Sequence, residues 1–327
     1  MKIFVLLLAL LVAAQAHSVH FQQEVETYRV NTSTYLDIYY PTSQEGDFPV
    51  ILFNVGGNVQ ASDYTQVAAQ IAALGYIVAV PQPELVQAGP PGTPLMRLLS
   101  WSKVLEAKNL VKTESESSCS PLYGKADTSQ YVFVGHSFGG VLASAMASQD
   151  GVVKCNNPAD PFFFVCAGYP GFGEGDIKAV IGYGTTFVNQ GALVDLNTTG
   201  MPHILVRGSI DGVASLDSLY LTYNTSLETP KAIVELLGGN HFAITDTNEP
   251  VGSAHDPVEQ VRSQERTQKA FVSLVSLVLK GHVEGHVPSL RRLYKKRSLG
   301  RDLDVLEANY GNCKPRTCPD QCTAIFP

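Results

Sequence analysis

Long apolar runs are scarce in this sequence. One run of 12 residues stands near the N-terminus, from Ile3 to Ala14, and no later segment is apolar over the roughly 20 residues that a membrane-spanning helix needs. Lys2 precedes this run, and Ala14 and Ala16 stand at the −3 and −1 positions of a cleavage site. The pattern is typical of a secretory signal peptide. We therefore expect residues 1–16 to be removed and the remaining chain to be secreted.

Basic residues are too few to suit a nucleic-acid-binding protein. The chain holds 23 Lys and Arg against 30 Asp and Glu, a net charge of −7. Residues 282–327 carry an excess of base, eight Lys and Arg against five Asp and Glu, so the body before them is strongly acidic. Because an acidic surface repels phosphate backbones, we exclude nucleic acid as a partner. The run Arg291–Arg297 is predicted to be a solvated linker, with a processing site or a contact with anionic surfaces as alternatives.

Histidines are absent from the neighbourhood of the C-terminal cysteines, and this argues against a zinc site there. An even number of cysteines in a secreted chain instead predicts disulfides, whose connectivity the sequence leaves open. The six cysteines are Cys119, Cys155, Cys166, Cys313, Cys318 and Cys322. No metal or organic cofactor is expected.

Three Asn-X-Ser/Thr sequences also agree with secretion. They begin at Asn31, Asn197 and Asn224. In a secreted chain such tripeptides are acceptors for N-glycosylation, although each is short enough to arise by chance. We predict glycosylation at these three asparagines.

No repeat of solenoid type is present; strand-like and helix-like segments alternate instead. Two β-rich runs, 24–30 and 34–39, predict a hairpin. Unbroken apolar runs are typical of buried parallel strands, and they occur at 49–55, 76–80, 131–135, 161–167, 203–207 and 231–237. Helices are predicted at 62–74, 93–111, 138–148 and 257–280. This alternation predicts a three-layer α/β sandwich with a mostly parallel central sheet over residues 17–280. Residues 281–327 are predicted to be a basic linker and a short Cys-rich tail.

The sequence Gly135-His136-Ser137-Phe138-Gly139 carries the strongest chemical signal. It follows a predicted strand and opens a predicted helix, which is the setting of a nucleophile elbow. Small residues are needed beside the nucleophile because the turn is tight. The turn raises the Ser137 hydroxyl above the sheet, where a base can reach it. Ser137 is therefore the predicted nucleophile.

A serine nucleophile needs a base and an acid that orients the base. Asp211 follows the predicted strand 203–207, and His241 follows the last predicted strand. Both therefore stand at carboxyl ends of strands, where active groups of such sheets gather, and the chain order is Ser, acid, His. The competing acids are Asp195, Asp217 and Asp246, none of which directly follows an apolar strand. We predict a Ser137–His241–Asp211 triad.

An oxyanion hole requires two backbone N–H groups aimed at the developing negative oxygen. One is expected from Phe138, the residue after the nucleophile. The other is expected from the turn that follows the strand 49–55, where Gly57 is the preferred donor and Asn58 the alternative.

Four segments together resemble a known family: ILFNVGGNVQASDY with IAALGYIVAVPQP, VFVGHSFGG, LVRGSIDGV and GGNHFAITD. They are similar to the chlorophyllase, dienelactone-hydrolase and platelet-activating-factor-acetylhydrolase-like branch of the α/β hydrolases, over most of residues 25–280. The resemblance implies an α/β-hydrolase fold and ester hydrolysis by a Ser-His-Asp triad without a cofactor. It carries the roles of Ser137, Asp211 and His241 to the matching positions. Many relatives have His-Gly where this chain has Val55-Gly56, which leaves the substrate class open.

The segment 168–200 is rich in glycine and aromatic residues and is predicted to line or cap the acyl pocket. Phe172, Tyr183 and Phe187 are its candidate substrate-binding residues, with structural packing as the alternative for each. The favoured function is a secreted carboxylic-ester hydrolase acting on small or lipid-like esters. The alternatives are a phospholipase or acetylhydrolase acting at lipid surfaces, and an inactive binding protein that keeps the fold.

Overall fold

A ten-stranded sheet forms the centre of the protein, as seen in a computed structural model. The structure describes residues 24–31, 35–42, 46–87, 92, 94–147, 154–155, 176–187, 194–195, 201–225 and 230–310. The predicted strand at 161–167, and the Cys-rich end beyond residue 310, lie outside these ranges.

The strands follow one another along the chain as β1 (Val25–Asn31), β2 (Tyr35–Pro41), β3 (Phe48–Asn54), β4 (Ile77–Pro81), β5 (Glu84–Gln87), β6 (Leu95–Leu98), β7 (Ala126–His136), β8 (Lys154–Cys155), β9 (Ile177–Tyr183), β10 (Val194–Asp195), β11 (His203–Gly208), β12 (Lys231–Leu236), β13 (Arg297–Ser298) and β14 (Leu303–Asn309). The order across the central sheet is β1-β2-β4-β3-β7-β9-β11-β12-β14-β13. Its inner strands, from β4 to β12 in this order, are all parallel to one another. Antiparallel pairs close the two edges.

The helices in the described ranges are α1 (Thr65–Ala72), α2 (Trp101–Glu116), α3 (Phe138–Ala147), α4 (Leu216–Thr225), α5 (Gln264–His282) and α6 (Val287–Leu293). A short 3-10 helix, Ala61–Tyr64, precedes α1. Every residue of β4 and of β11 is buried. Because successive side chains of a strand point to opposite faces, both faces of the sheet are covered there. None of the described helices combines the length and apolar character needed to cross a membrane.

The sheet confirms the predicted α/β architecture with a mostly parallel centre. The predicted hairpin is the antiparallel pair β1–β2. The apolar runs predicted as buried strands are found as β3, β4, β7, β11 and β12. Their side chains, together with the inner faces of α1, α3 and α5, make up most of the hydrophobic core.

Three local predictions were wrong. The helix predicted at 93–111 begins only at Trp101, because β6 pairs with β5 and this pairing overrides the helical propensity of Leu95–Leu98. The helix predicted at 257–280 begins at Gln264, after an extended Ser263. A strand was also missed, since β9 lies in a segment that its glycines made look like a loop, yet it pairs with β7 and β11.

The structure also differs from the expected linker after residue 280. Residues 287–310 form α6, β13 and β14, and α6 packs against α5. The strand β14 pairs with β12 over its whole length, from Leu303 opposite Leu236 to Asn309 opposite Lys231. The side chains of Leu303 and Val305 are buried in the core. The basic segment is therefore part of the folded body as far as Tyr310. The pairing of β14 with β12 contains a one-residue register shift, and this shift interrupts the alternation of buried and exposed residues that would have revealed the strand in the sequence.

Candidate active site

Ser137 stands in a strained turn between β7 and α3. Its φ is +51°, in the left-handed region that non-glycine residues rarely adopt. The backbone N–H of Ser137 donates to the carbonyl of Tyr183 at 2.7 Å, which ties the turn to the end of β9. A Cβ on Gly135 would lie 2.5 Å from Gly140 Cα, and one on Gly139 would collide with the Asn54 carbonyl oxygen. The small residues are thus required by close backbone approach, as predicted for a nucleophile elbow.

His241 and Asp211 meet at the same edge of the sheet. His241 Nδ1 lies 3.1 Å from Oδ1 and 3.0 Å from Oδ2 of Asp211, and both side chains are buried. Asp211 Oδ1 also accepts the backbone N–H groups of Val213 at 2.9 Å and Ala214 at 2.7 Å. Three donors therefore hold the carboxylate in one orientation. That orientation directs the imidazole so that Nε2 faces away from Asp211.

Gly184 brings the serine turn and the His–Asp pair together. It follows Tyr183, whose carbonyl accepts the Ser137 N–H, and its φ is +59°. A Cβ on Gly184 would lie 2.8 Å from His241 Nδ1 and 3.3 Å from Asp211 Oδ2. The end of β9 therefore touches the nucleophile turn on one side and the imidazole on the other. The Ser137 hydroxyl makes no hydrogen bond to a described residue, so the Ser137–His241 proton transfer stays a prediction.

The two predicted oxyanion donors lie close together. A Cβ on Gly57 would be 3.8 Å from Phe138 Cβ, so the turn after β3 abuts the start of α3. The alternative donor, Asn58, is engaged elsewhere, because its N–H donates to the Arg97 carbonyl at 2.7 Å and its Oδ1 accepts the Arg97 N–H at 2.8 Å. The Gly57 N–H has no acceptor among the described residues. Gly57 is therefore the better of the two candidates.

The chlorophyllase family model matches residues 12–158 of this chain. The chain resembles the chlorophyllases. The match covers a little under half of the sequence, including the Gly57 turn and Ser137, while Asp211 and His241 lie beyond it. It supports the chlorophyllase-like branch of the α/β hydrolases, and with that branch the hydrolysis of esters as the class of reaction. No curated protein matches the chain.

His136 is the first residue of the candidate site whose role the sequence did not reveal. It is fully buried, and its ring lies 4.9 Å from that of His241 between centroids. His136 Nδ1 lies 2.7 Å from the Tyr64 hydroxyl, and Nε2 lies 2.9 Å from the His241 carbonyl oxygen. Burial lowers the pKa of His136 well below 6.5, and the neighbouring His241 lowers it further. His136 is therefore neutral at neutral pH.

Asp256 is a second such residue. Its carboxylate is 2% exposed, and Oδ2 accepts the His241 N–H at 2.7 Å and the Gly212 N–H at 3.4 Å. Oδ1 accepts the Val258 N–H at 2.8 Å. Asp256 thus connects the loop that carries Asp211 to the loop that carries His241. It stands in an irregular segment with no strand before it, so the rule that placed Asp211 and His241 could not find it.

The predicted substrate-binding residues are not gathered in one open pocket. Tyr183 is fully buried on β9, where its hydroxyl donates to the Asn240 carbonyl at 2.5 Å. Burial raises the pKa of Tyr183 well above 10, with the charge of Asp211 adding to the effect. Phe187 is 3% exposed, and its ring lies 6.3 Å from that of His203. These positions favour packing for both residues, and Phe172 lies outside the described ranges.

The competing acids have other roles where the structure describes them. Asp217 lies in the first turn of α4, and Asp246 Oδ1 accepts the Gln66 N–H at 3.0 Å near the start of α1. The side chain of Asp195 is not among those described. No group of three or more His, Cys, Asp or Glu residues in the described ranges is placed to hold a metal ion.

The predicted modification sites are described only in part. Asn224 is exposed on α4, whereas Asn197 and the side chain of Asn31 lie outside the described ranges. Of the six cysteine side chains, only that of Cys119 is described, and it is exposed. Glycosylation and disulfide formation stay predictions.

Proposed function

We propose that this protein is a secreted serine esterase that cleaves carboxylic esters through an acyl-enzyme intermediate. The observation that carries the proposal is the pair formed by His241 Nδ1 and the Asp211 carboxylate, held beside the strained Ser137 turn by Gly184. A buried His–Asp pair is an orienting device, and beside a nucleophile elbow it serves acyl transfer.

In the proposed mechanism, His241 Nε2 takes the proton of the Ser137 hydroxyl as the oxygen attacks the ester carbonyl carbon. Asp211 orients the imidazole and stabilises the imidazolium that forms. The N–H groups of Phe138 and Gly57 stabilise the negative oxygen of the tetrahedral intermediate. The imidazolium then donates its proton to the leaving alcohol. A water molecule, activated by the same imidazole, releases the acid and restores Ser137.

Exposed valines next to the Asp211 loop support an apolar substrate. Val213, two residues after Asp211, is 52% exposed, and Val258, two residues after Asp256, is 38% exposed. Val258 lies against the residue before Val213, since a Cβ on Gly212 would be 3.0 Å from Val258 Cγ2. An apolar rim of this kind suits esters with an alkyl or lipid-like part.

The same rim favours a second candidate, a phospholipase or acetylhydrolase that works at a lipid surface. Six exposed cations between Arg291 and Arg301 add an element that anionic lipids would attract: Arg291, Arg292, Lys295, Lys296, Arg297 and Arg301. Binding to anionic vesicles that weakens between about 0.05 and 0.5 M salt would support this candidate, because salt screens such contacts. An inactive binding protein is disfavoured, since a binder has no need for the His241–Asp211 pair.

The deciding experiment compares hydrolysis of p-nitrophenyl esters of graded acyl length by the wild type, Ser137→Ala and Ser102→Ala. Ser102 is exposed on α2 and serves as the matched control. We expect turnover by the wild type and the control and a loss of several orders of magnitude in Ser137→Ala. Equal inertness of all three folded proteins would contradict the proposal. The chain-length optimum separates an esterase of short acyl groups from a lipid-directed enzyme.

Secretion and N-glycosylation belong to the same proposal. The mature protein is expected to begin at His17 and to carry glycan at Asn31, Asn197 and Asn224. N-terminal sequencing and the mass change on enzymatic deglycosylation of protein recovered from culture medium test both points. A product that stays in the cell with Met1 intact would contradict secretion.

A further inference from the structure

The buried chain of hydrogen bonds through Tyr64 and His136 joins the two halves of the site. Its first link is the Gly56 N–H, which donates to the Tyr64 hydroxyl oxygen at 2.9 Å. The second link joins Tyr64 to His136 Nδ1 at 2.7 Å, and the third joins His136 Nε2 to the His241 carbonyl oxygen at 2.9 Å. We propose that Tyr64 and His136 are positioning residues that hold the oxyanion turn and the catalytic histidine in fixed relation. This role rests on the esterase function proposed above.

The polarity of the chain is determined by its two ends. A carbonyl oxygen can only accept, so His136 Nε2 carries the proton and donates to His241. Neutral His136 then has an unprotonated Nδ1, which accepts from the Tyr64 hydroxyl. The Tyr64 oxygen in turn is free to accept from Gly56. Every donor and acceptor of the chain is satisfied by one tautomer, and burial removes water as a competitor at each link.

Packing around the chain shows why its position would be transmitted to the reacting groups. A Cβ on Gly56 would lie 2.7 Å from His136 Nδ1 and 3.3 Å from the Tyr64 hydroxyl, so the turn rests directly on both rings. Gly57, the proposed oxyanion donor, is the next residue of that turn. At the other side, His136 directly precedes Ser137, and its ring lies tilted against the His241 ring at 4.9 Å between centroids. The same imidazole thus touches the oxyanion turn, the nucleophile turn and the backbone of the general base.

Loss of the Tyr64 hydroxyl should therefore lower the turnover number more than substrate binding. The ring of Tyr64 would remain in place beside Phe53 and His136, but Gly56 would lose its acceptor and His136 its donor. Removal of a whole oxyanion donor costs about 100- to 1000-fold in kcat. A displaced donor should cost less, so we expect Tyr64→Phe to lower kcat about 10- to 100-fold while KM changes less than about threefold.

A matched control exists elsewhere in the chain. Tyr294 is also buried, and its hydroxyl lies 2.8 Å from His282 Nε2. His282 is the last residue of α5, whose first residue, Gln264, contacts the His241 loop through its side chain. At 1.5 Å per residue the two ends of α5 are about 27 Å apart. Tyr294→Phe thus removes a part-buried Tyr–His hydrogen bond of similar length far from the site.

The experiment measures kcat, KM and thermal unfolding for the wild type, Tyr64→Phe and Tyr294→Phe on the same p-nitrophenyl ester. Both variants are expected to lose stability, whereas only Tyr64→Phe should lose kcat. If the wild type hydrolyses the ester and Tyr64→Phe has the kcat of the Tyr294→Phe control, the positioning role is refuted while the esterase function stands. If the wild type hydrolyses no ester, the proposed function itself fails, and the positioning role fails with it.

A double-mutant cycle tests whether the two residues act as one unit. We expect His136→Gln to lower kcat, and the double variant with Tyr64→Phe to be no slower than the slower single variant. Multiplying effects would mean that Tyr64 and His136 act independently, which contradicts the bridge. Should Tyr64→Phe fail to fold, His136→Gln against His282→Gln makes the same comparison of kcat, with the same two outcomes.

Discussion

Asp256 Oδ2 accepts the backbone N–H of His241 at 2.7 Å, and the carboxylate is 2% exposed. A carboxylate that is buried without a cation beside it must be satisfied by N–H donors. Asp256 obtains them from the two loops that carry the His–Asp pair. The orientation of His241 is thus set twice, at its ring by Asp211 and at its backbone by Asp256.

Replacing Asp256 by Asn should therefore affect both stability and turnover. An amide offers one acceptor oxygen where the carboxylate offers two, so either His241 or Val258 loses the acceptor of its N–H. A buried unsatisfied N–H costs about 1–3 kcal/mol. We expect urea unfolding to show a loss of that size, with kcat lowered about tenfold by the freed loop.

Asp217→Asn is the control for this change, because Asp217 is exposed in the first turn of α4. It should leave kcat unchanged and alter the free energy of unfolding by less than about 1 kcal/mol. Equal kinetic effects of the two substitutions would show that Asp256 does not position His241.

Gly184 allows a separate test of the contact between β9 and the imidazole. Its φ of +59° disfavours any side chain, and a Cβ there would press on the His241 ring at 2.8 Å. Gly124 has a similar φ of +66° but open space around its Cβ position. Gly184→Ala and Gly124→Ala should both lose about 1 kcal/mol or more of stability through backbone strain. Only Gly184→Ala should also lose activity, by at least about tenfold, since it displaces the general base.

The new methyl group meets the His241 ring in Gly184→Ala and no neighbouring atom in Gly124→Ala, whereas the backbone strain is similar in both variants. Comparing their kcat values at matched folded fraction therefore isolates the contact with His241. If Gly184→Ala retains wild-type kcat, the loop carrying His241 yields to the methyl group and the close approach has no catalytic role.

Ser137, Asp211 and His241 could be predicted because each stands directly after an apolar strand. The strand period and the glycine pattern are local signals, and the parallel sheet converts them into a shared edge. The central strands were predictable for the same reason, since a strand buried on both faces is apolar at nearly every position. Gly57 was predicted as an oxyanion donor from the turn that ends β3, and this role stays a prediction.

Tyr64, His136 and Asp256 could not be predicted in their roles, because these depend on long-range contacts. Tyr64 is 72 residues from His136 in the chain, and Asp256 is 15 residues beyond His241 in an irregular loop. Nothing in the local pattern distinguishes a buried tyrosine hydroxyl that meets an imidazole from one that meets solvent. The strand β9 was missed for a related reason: its Gly182 reads as a loop residue, yet a Cβ there would meet the Thr185 side chain at 2.9 Å.

Asp211→Asn should test whether the acid of the triad acts by orienting the His241 imidazole or only by filling space beside it. The amide can occupy the same space, but where its NH₂ group faces Nδ1 it favours the wrong imidazole tautomer. In a Ser-His-Asp triad this change lowers kcat by about four orders of magnitude. We expect a fall of this order in ester turnover, with KM changed far less. Asp246→Asn, at a half-buried acid that contacts the start of α1, should leave kcat near the wild-type value.

The free energy of unfolding should decrease at acidic pH because His203 is buried and neutral in the folded protein. Burial, together with the smaller effect of the Lys231 charge, lowers the pKa of His203 from 6.5 to about 4. Between these two values the unfolded chain binds a proton at this residue and the folded chain does not. Stability from His203 is therefore complete above pH 6.5 and is lost as the pH falls towards 4, by about 1.4 kcal/mol per pH unit.

Urea unfolding of the wild type and of His203→Gln at pH 7, 6 and 5 measures this contribution. Gln retains a donor for the Ser144 hydroxyl, which lies 3.1 Å from His203 Nε2, but it does not titrate. The free energy of unfolding of His203→Gln should fall less steeply with decreasing pH than that of the wild type. The difference in slope should correspond to almost one proton, or about 1.4 kcal/mol per pH unit. His255→Gln, the same substitution at an exposed histidine, is the control. Parallel curves for all three proteins would mean that His203 takes up its proton over the same pH range in the folded and the unfolded chain, which would contradict the lowered pKa.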